Sequence, residues 1–118
     1  MAAGVTPLQC EQGATFQRLI TWSDAEGTPV DLTACTATLE ITVGKGSFQP
    51  PLLVLTELAG LTLGGPLGTI AIEISAAITS ALMFGGRYEL TVAFPGGTVV
   101  RLLEGDFVLS LSAHRVGA

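Results

Sequence analysis

Hydrophobic and polar residues alternate along most of this chain, in short segments bounded by glycine and proline. A period of two places neighbouring side chains on opposite faces of a strand. The clearest case is Thr36–Val43, where threonines and a glutamate separate the apolar residues Ala37, Leu39, Ile41 and Val43. This pattern predicts half-buried β-strands.

The same alternation predicts seven further strands, which are separated by turn-forming residues. They are Ala14–Trp22, Leu52–Glu57, Leu61–Leu63, Thr69–Ser75, Arg87–Phe94, Thr98–Glu104 and Asp106–Ser112. Pro50 and Pro51 cannot donate to a ladder, so we expect Leu52–Glu57 at a sheet edge. Short strands repeated about every 8–12 residues indicate an all-β, antiparallel β-sandwich.

One segment, residues 75–83, breaks the alternation and predicts a short helix between the sheets. Ser75 is a suitable N-cap, and Ile78 and Leu82 have the i, i+4 spacing of one helical face. The 118 residues are predicted to form a single domain. We expect residues 1–8 to form an N-terminal arm and residues 113–118 a C-terminal tail.

Composition changes the picture at the surface. Charged residues make up only 13% of the chain and hydrophobic residues 48%, whereas about 25% of an ordinary soluble domain is charged. Outward positions of the predicted strands carry mainly Thr, Ser, Ala and Leu. This choice of residues indicates surfaces that other copies or other proteins cover, and we therefore expect a homo-oligomer.

The distribution of charge argues against two classes of partner. The net charge is −5, and the five basic residues are scattered along the chain, so no basic stripe is present to neutralise phosphates. The longest charge-free interval, between Glu57 and Glu73, is interrupted by glycines. It is also shorter than the roughly 20 apolar residues of a membrane helix. Neither nucleic-acid binding nor membrane insertion is predicted.

Few residues suggest chemistry. Asp24, Glu26 and Asp31 could surround a cation, but they do not match the spacing of a calcium loop. Asp31 is better explained as an acceptor of backbone N–H groups in a turn. The only histidine, His114, has no recognisable partner near the end of the chain. We predict no catalytic, cofactor-binding or metal-binding residues and no cofactor, and hence a protein that is not an enzyme.

The two cysteines and the single tryptophan are each open to more than one interpretation. Cys10 and Cys35 could form a disulfide or remain two buried thiols, and the second is favoured for a protein made in the cytosol. Trp22 lies on an alternating strand, which favours packing in the core. An exposed anchor in a partner's pocket is the alternative.

Several segments carry a resemblance to a known group of proteins. They are Gln12–Phe16, Thr21–Gly27, Pro29–Thr33, Gly60–Gly65, Gly68–Ile70, Tyr88–Leu90, Pro95–Val99 and Arg101–Gly105. Together they resemble small Ig-like β-sandwich proteins of tailed phages and prophages, similar to the N-terminal domain of baseplate upper proteins and to tail-fibre attachment domains. At position 34 the resemblance leads us to expect glycine after Asp-Leu-Thr, whereas this chain has Ala34.

The resemblance implies an Ig-like fold and a structural role in a virion assembled in the bacterial cytoplasm. We therefore expect a tail, baseplate or fibre-attachment component whose partners are other virion proteins and copies of itself. A decoration or stabilising subunit of the phage head is the alternative, and a host- or carbohydrate-binding module is a weaker one. Candidate contact regions are Met1–Leu8, Gly44–Pro51, Leu52–Leu55 and His114–Ala118.

Overall fold

A computed structural model describes residues 4–43, 51–83 and 85–111. The expected C-terminal tail and almost all of the Gly44–Pro51 loop lie outside these residues. The described strands are β1 (Gly4–Val5), β2 (Leu8–Glu11), β3 (Phe16–Thr21), β4 (Thr36–Thr42), β5 (Leu53–Thr56), β6 (Leu61–Leu63), β7 (Thr69–Ile74), β8 (Gly86–Ala93) and β9 (Val99–Ser110). One helix, α1 (Ala76–Ala81), lies between β7 and β8, and a 3₁₀ turn, Gly65–Leu67, lies between β6 and β7.

The strands form two sheets that pack face to face. The larger sheet has the order β1–β9–β8–β4–β5, with β2 also paired to β9, and the smaller has the order β3–β7–β6. The chain is thus an Ig-like β-sandwich, as the sequence predicts. Its larger sheet matches the GFC sheet of a variable-type domain extended by one strand. Its smaller sheet matches the B, E and D strands of the other sheet.

The core lies between the sheets and follows the alternation seen in the sequence. Its members are almost fully buried: Ala37, Leu39 and Ile41 from β4, Ile70, Ile72 and Ile74 from β7, and Tyr88, Leu90 and Val92 from β8. Many Ig domains link strands B and F by a disulfide. Here Cys10 and Cys35 are free and buried, and neither lies in the matching strands β3 and β8. The two sheets are therefore held together by apolar packing without that cross-link.

The N-terminal segment does not form the separate arm expected for residues 1–8. β1 and β2 both pair with β9 in parallel, and Leu8 is only 2% exposed. The buried Tyr88 hydroxyl donates to the Thr6 carbonyl oxygen at 2.6 Å, which fixes the link between β1 and β2. The prediction differs because strand pairing between the two ends of a chain leaves no local periodic signal.

The last two predicted strands are one strand. β9 continues through Gly105, where the sequence suggested a break. A Cβ atom at position 105 would collide with the Thr6 carbonyl oxygen, so glycine serves the close approach of the N-terminal segment rather than a turn. The strand is irregular elsewhere, since its register with β8 shifts between Leu90 and Thr91.

Two local predictions agree with the structure. Ser75 caps α1, because its Oγ accepts a hydrogen bond from Ile78 N at 3.3 Å, and the helix carries the chain from one sheet to the other. β5 forms an edge of the larger sheet. Val43, an apolar residue of the alternating Thr36–Val43 segment, is 44% exposed, and Leu111 in the predicted strand Asp106–Ser112 is 58% exposed. Both residues lie just beyond the last paired residue of their strands. None of the described helices is long and apolar enough to cross a membrane.

The turn before β4 keeps a left-handed residue without glycine. Ala34 has φ 63°, in the region that favours glycine. Cys35 N donates to Leu32 O at 3.0 Å, and Asp31 Oδ1 accepts from Thr33 N at 3.0 Å. These bonds hold the turn despite the local cost of about 1–2 kcal/mol for an L-residue there.

Candidate interaction surfaces

The outer face of the larger sheet holds most of the described charge. Arg87 contacts Asp106 at 3.1 Å, and Arg101 lies 3.7 Å from Glu89 and 3.8 Å from Glu104. These pairs are largely exposed, so each contributes about 0–1 kcal/mol. The face is charged and solvated, which is unlike the surface that the low overall charge predicts.

Three glutamates stand side by side on this face. Glu40 lies opposite Glu89, and Glu89 lies opposite Glu104 on the next strand. Directly opposed like charges destabilise a sheet, and Arg101 offsets part of that repulsion. The described residues contain no cluster of three or more His, Cys, Asp or Glu side chains that could hold a metal ion.

The outer face of the smaller sheet is almost uncharged. Its outward side chains are Gln17, Leu19 and Thr21 from β3, Thr69, Ala71 and Glu73 from β7, and Thr62 from β6. Leu19 lies near the centre of the face and is 63% exposed. The scarcity of charged residues in the sequence is therefore most evident on this side of the molecule.

One flank of the sandwich, where β5 and β6 lie, carries an apolar groove beside an exposed leucine. The groove has a volume of about 400 Å³, and its apolar lining is Leu53, Val54, Leu55, Ala59 and Ile78. We call it the β5–β6 groove. Leu58, in the turn that leads out of β5, is 89% exposed, the highest value among the exposed large hydrophobic residues of the described chain.

The turn that carries Leu58 is firmly held. Thr56 and Ala59 exchange backbone hydrogen bonds of 3.0 and 2.9 Å, and Leu58 N donates to Thr56 Oγ1 at 3.2 Å. Glu57 Oε1 accepts from Ala37 N at 2.9 Å. The hydrogen bond from Ala37 N, together with a weaker effect of the backbone N–H of Glu57 itself, lowers the pKa of Glu57. The apolar tip is therefore presented by a fixed backbone.

The opposite flank, where β3 lies, has an open sheet edge. Among the described residues, β7 is the only strand neighbour of β3. Trp22 N donates to Gly68 O at 2.8 Å, and bonded residues alternate along an antiparallel ladder. The backbone groups of Gln17, Leu19 and Thr21 therefore point away from β7, toward the open edge.

Arg18 occupies an inward position on this edge strand. It lies opposite the buried Ile72, and its guanidinium carbon is 5.8 Å from the centroid of the Phe16 ring. None of the described carboxylates lies within ion-pair distance of Arg18. Phe16 and Ile20, on the same face of β3, are buried and half-buried, whereas Arg18 is exposed. Its charge therefore lies at the open flank.

Two of the acidic residues that the sequence suggested for chemistry, Asp24 and Asp31, accept hydrogen bonds within turns. Asp24 Oδ1 accepts from Glu26 N at 2.9 Å and from Thr28 N at 3.0 Å. The Thr33 hydroxyl and amide both donate to Asp31, which lowers the pKa of Asp31. The turn-acceptor interpretation of Asp31 is thus confirmed.

The cysteines and the tryptophan belong to the packed interior or its margin. Burial raises the pKa of both thiols, and a nearby carboxylate adds to the shift in each case, Glu11 at Cys10 and Asp31 at Cys35. Trp22 is half-buried and packs against Phe94, with 5.9 Å between the ring centroids. His114 lies outside the described residues.

No protein-family model matches the chain, and no curated protein matches it. Among solved structures it is similar to the extracellular domain of the voltage-gated sodium channel β4 subunit, at 14% identity and TM-score 0.45 over 95% of this chain and 96% of that one. That sodium-channel domain forms parallel homodimers that explain its role in cell–cell adhesion.

Two further similar structures are Tim-1 and the first Ig-like domain of human CD48. The Tim-1 structure has 16% identity and TM-score 0.38 over 95% of each chain. The CD48 domain has 11% identity and TM-score 0.41 over 93% of this chain and 84% of that one. At these values the likeness concerns the fold.

These findings overturn the expected function and location. The three similar structures are Ig-like domains of cell-adhesion and receptor proteins, and none is a virion protein. The assignment to a phage tail, baseplate or head, and with it the virion location, is wrong. The strand signatures behind it specify an Ig-like fold, which many unrelated proteins share. Nothing supports virion partners.

Proposed function

We propose that this chain is a non-enzymatic protein–protein interaction domain that self-associates through Leu58 and the β5–β6 groove. The observation that carries the proposal is the 89% exposure of Leu58 on a rigid turn directly beside an apolar groove of about 400 Å³. A leucine side chain that leaves water for an apolar pocket on a partner gains free energy in proportion to the apolar area buried.

The arrangement suits a two-fold symmetric contact. In such a contact the same patch is used on both subunits, so that a residue and its pocket must lie side by side on one surface. Leu58 meets this condition, because the adjacent Ala59 and Gly60 line the groove. A two-fold axis between two copies places each Leu58 in the groove of the other.

The contact is small, and we expect a weak dimer. Full burial of a leucine side chain contributes about 1.5–3 kcal/mol, and two are buried per dimer. Much of this gain is offset by the loss of rotational and translational freedom. The rigid turn reduces the further cost of ordering the segment.

Sedimentation equilibrium of the full chain over a wide concentration range tests the proposal. We expect concentration-dependent dimers for the natural chain and monomers for Leu58→Glu. Val99→Glu is the matched control, since Val99 is 63% exposed at the start of β9, away from the groove. A natural chain that stays monomeric at millimolar concentration, or equal dimerisation of natural and Leu58→Glu proteins, would contradict the proposal.

The non-enzymatic role is supported by how the reactive groups are used. The carboxylates of Asp24 and Asp31 accept backbone hydrogen bonds, and the two thiols are buried with raised pKa values. A thiolate is the reactive form of cysteine, and both thiols are held away from it. Rapid labelling of the native thiols by a disulfide reagent near neutral pH would argue against this role.

A further inference from the structure

On the flank opposite the β5–β6 groove, the smaller sheet ends in an unpaired edge with room for one more strand. In Ig sandwiches with the ABED arrangement, strand A occupies the edge next to strand B. Here the N-terminal strands β1 and β2 both pair with β9 in the larger sheet. The edge of β3, which corresponds to strand B, is left without a neighbour among the described strands.

The larger sheet extends beneath this edge. At one end of β3, the Phe16 ring lies edge-on to Phe107 of β9, with 6.3 Å between centroids. At the other end, Trp22 contacts Phe94, which directly follows β8. β3 therefore lies over β9 and β8, and the strands beyond them form a shelf one to two strands wide, about 5–10 Å at ordinary strand spacing.

The shelf is apolar and has room above it. Leu103 faces the interior, because it lies opposite Leu90, yet it is only half-buried. Its other neighbour is Gly4 of β1, which offers no side chain at the inward position. An additional strand beside β3 would cover this part of the shelf.

We propose that the β3 edge accepts one extended peptide segment of a partner protein, which becomes the fourth strand of the smaller sheet. The unpaired backbone groups of Gln17, Leu19 and Thr21 would hold its backbone, as in β-augmentation. The unpaired charge of Arg18 calls for an acidic residue at the inward position of the segment beside it. Outward residues of the segment would continue the uncharged face around Leu19.

The projecting larger sheet also leaves no room for a second folded copy at this edge. Two copies joined through their β3 strands would each bring a larger sheet that projects past β3. Each β2 or β1 would then occupy the space taken by the other copy's β9. A single strand has no second layer and avoids this collision. The site is thus independent of the self-association proposed through Leu58.

The proposal can be tested with a defined peptide and the full chain. The probe is a ten-residue peptide of alternating threonine and valine with one central inward valine replaced by glutamate. In amide NMR spectra we expect shifts at Gln17, Leu19 and Thr21, and slower hydrogen exchange of these three amides. A peptide N-methylated at the positions that face β3 is the matched control, and we expect it not to bind.

The charge requirement has its own test. A peptide with lysine in place of the glutamate should bind the natural chain about threefold more weakly, which corresponds to an exposed ion pair. The variant Arg18→Glu should reverse this preference, and the unchanged backbone pairing should keep both peptides bound. If the natural chain and Arg18→Glu prefer the same peptide to the same degree, the role of Arg18 is refuted.

Other outcomes separate the two proposals. Binding that survives N-methylation, shifts on a different surface, or no binding at millimolar peptide would overturn the β3 site. The variant Leu58→Glu should bind the peptide as the natural chain does, because Leu58 lies on the other flank. Loss of dimerisation with retained peptide binding is therefore the result that both proposals predict for Leu58→Glu. Each proposal can fail without the other.

Discussion

The two flanks of the sandwich differ in how the chain closes them. At the β5–β6 flank a short turn joins the sheets, Gly60 bridges to Thr56, and apolar side chains remain exposed in a groove. At the β3 flank the larger sheet projects past the smaller one and leaves unpaired backbone. The first flank offers side-chain burial to a partner and the second offers hydrogen bonds, so they suit different partners.

The largest expected effect is on the free energy of unfolding, when truncation of Phe107 beneath the β3 edge is compared with truncation of Leu58 on the other flank. Phe107 is 2% exposed and packs against Phe16, so Phe107→Ala should lower the free energy of unfolding by about 3–5 kcal/mol. Leu58→Ala should stay within about 0.5 kcal/mol of the natural chain under conditions where it is monomeric. Urea unfolding measures both. Equal losses would erase the contrast between the flanks.

A second prediction concerns the approach of the N-terminal segment to β9. Gly105→Ala should destabilise the fold by about 1–3 kcal/mol, because the new Cβ meets the backbone at Thr6 rather than a side chain that can turn aside. Gly96→Ala is the control, since no atom lies within 4 Å of a Cβ there. Thermal unfolding should rank the two variants in this order, and the reverse order would contradict it.

Removal of one oxygen tests how the N-terminal strands are held beneath the β3 edge. Tyr88→Phe leaves the Thr6 carbonyl without the hydroxyl that bonds it, and we expect a loss of about 1–2 kcal/mol. Hydrogen exchange should show the loss chiefly in the amides of β1 and β2. Uniform destabilisation of all strands would show that the bond has no local role.

In the turn that contains Ala34, beside the β5–β6 flank, we expect one substitution to raise the free energy of unfolding. Ala34→Gly should raise the free energy of unfolding by about 0.5–1 kcal/mol, because glycine adopts the left-handed conformation at less cost. The reverse change at a similar site is the control. Gly27 has φ 86° with open space around it, so Gly27→Ala should cost about 1 kcal/mol. A loss at Ala34→Gly would indicate a packing role for the Ala34 methyl group.

The smallest effect is a pH dependence at the Leu58 turn. The pKa of Glu57 is lowered in the folded chain by the hydrogen bond from Ala37 N. Its contribution to stability is thus present above the unfolded pKa of about 4.3 and disappears as pH falls through the folded value. Glu57→Ala should therefore be less stable than the natural chain at pH 7, and the difference should shrink as the pH is lowered through the folded pKa of Glu57. Urea midpoints over a series of pH values check this, and a constant difference would contradict it.

Local patterns predicted much of the fold. The alternation in β4, β7 and β8 assigns their inward residues correctly, since a two-residue period has only one buried solution once a face is apolar. The Ser75 cap and the edge position of β5 likewise follow from nearby residues. By contrast, the joining of two predicted strands into β9 depends on Gly105 meeting Thr6, a contact between opposite ends of the chain.

The interaction surfaces divide in the same way. The period-two pattern of Phe16, Arg18 and Ile20 shows a charge within an otherwise apolar face, and the low overall charge pointed to covered surfaces. The sequence did not single out Leu58, because one exposed leucine in a turn has no periodic signal.

What the sequence alone determined is therefore which residues face inward, because alternation and burial act over neighbouring positions. Only the tertiary structure decided which strands are neighbours. The N-terminal segment pairs with β9 rather than β3 because Tyr88, Thr6 and Gly105 fit together there. That long-range choice widens one sheet, leaves the β3 edge open and sets the difference between the two flanks.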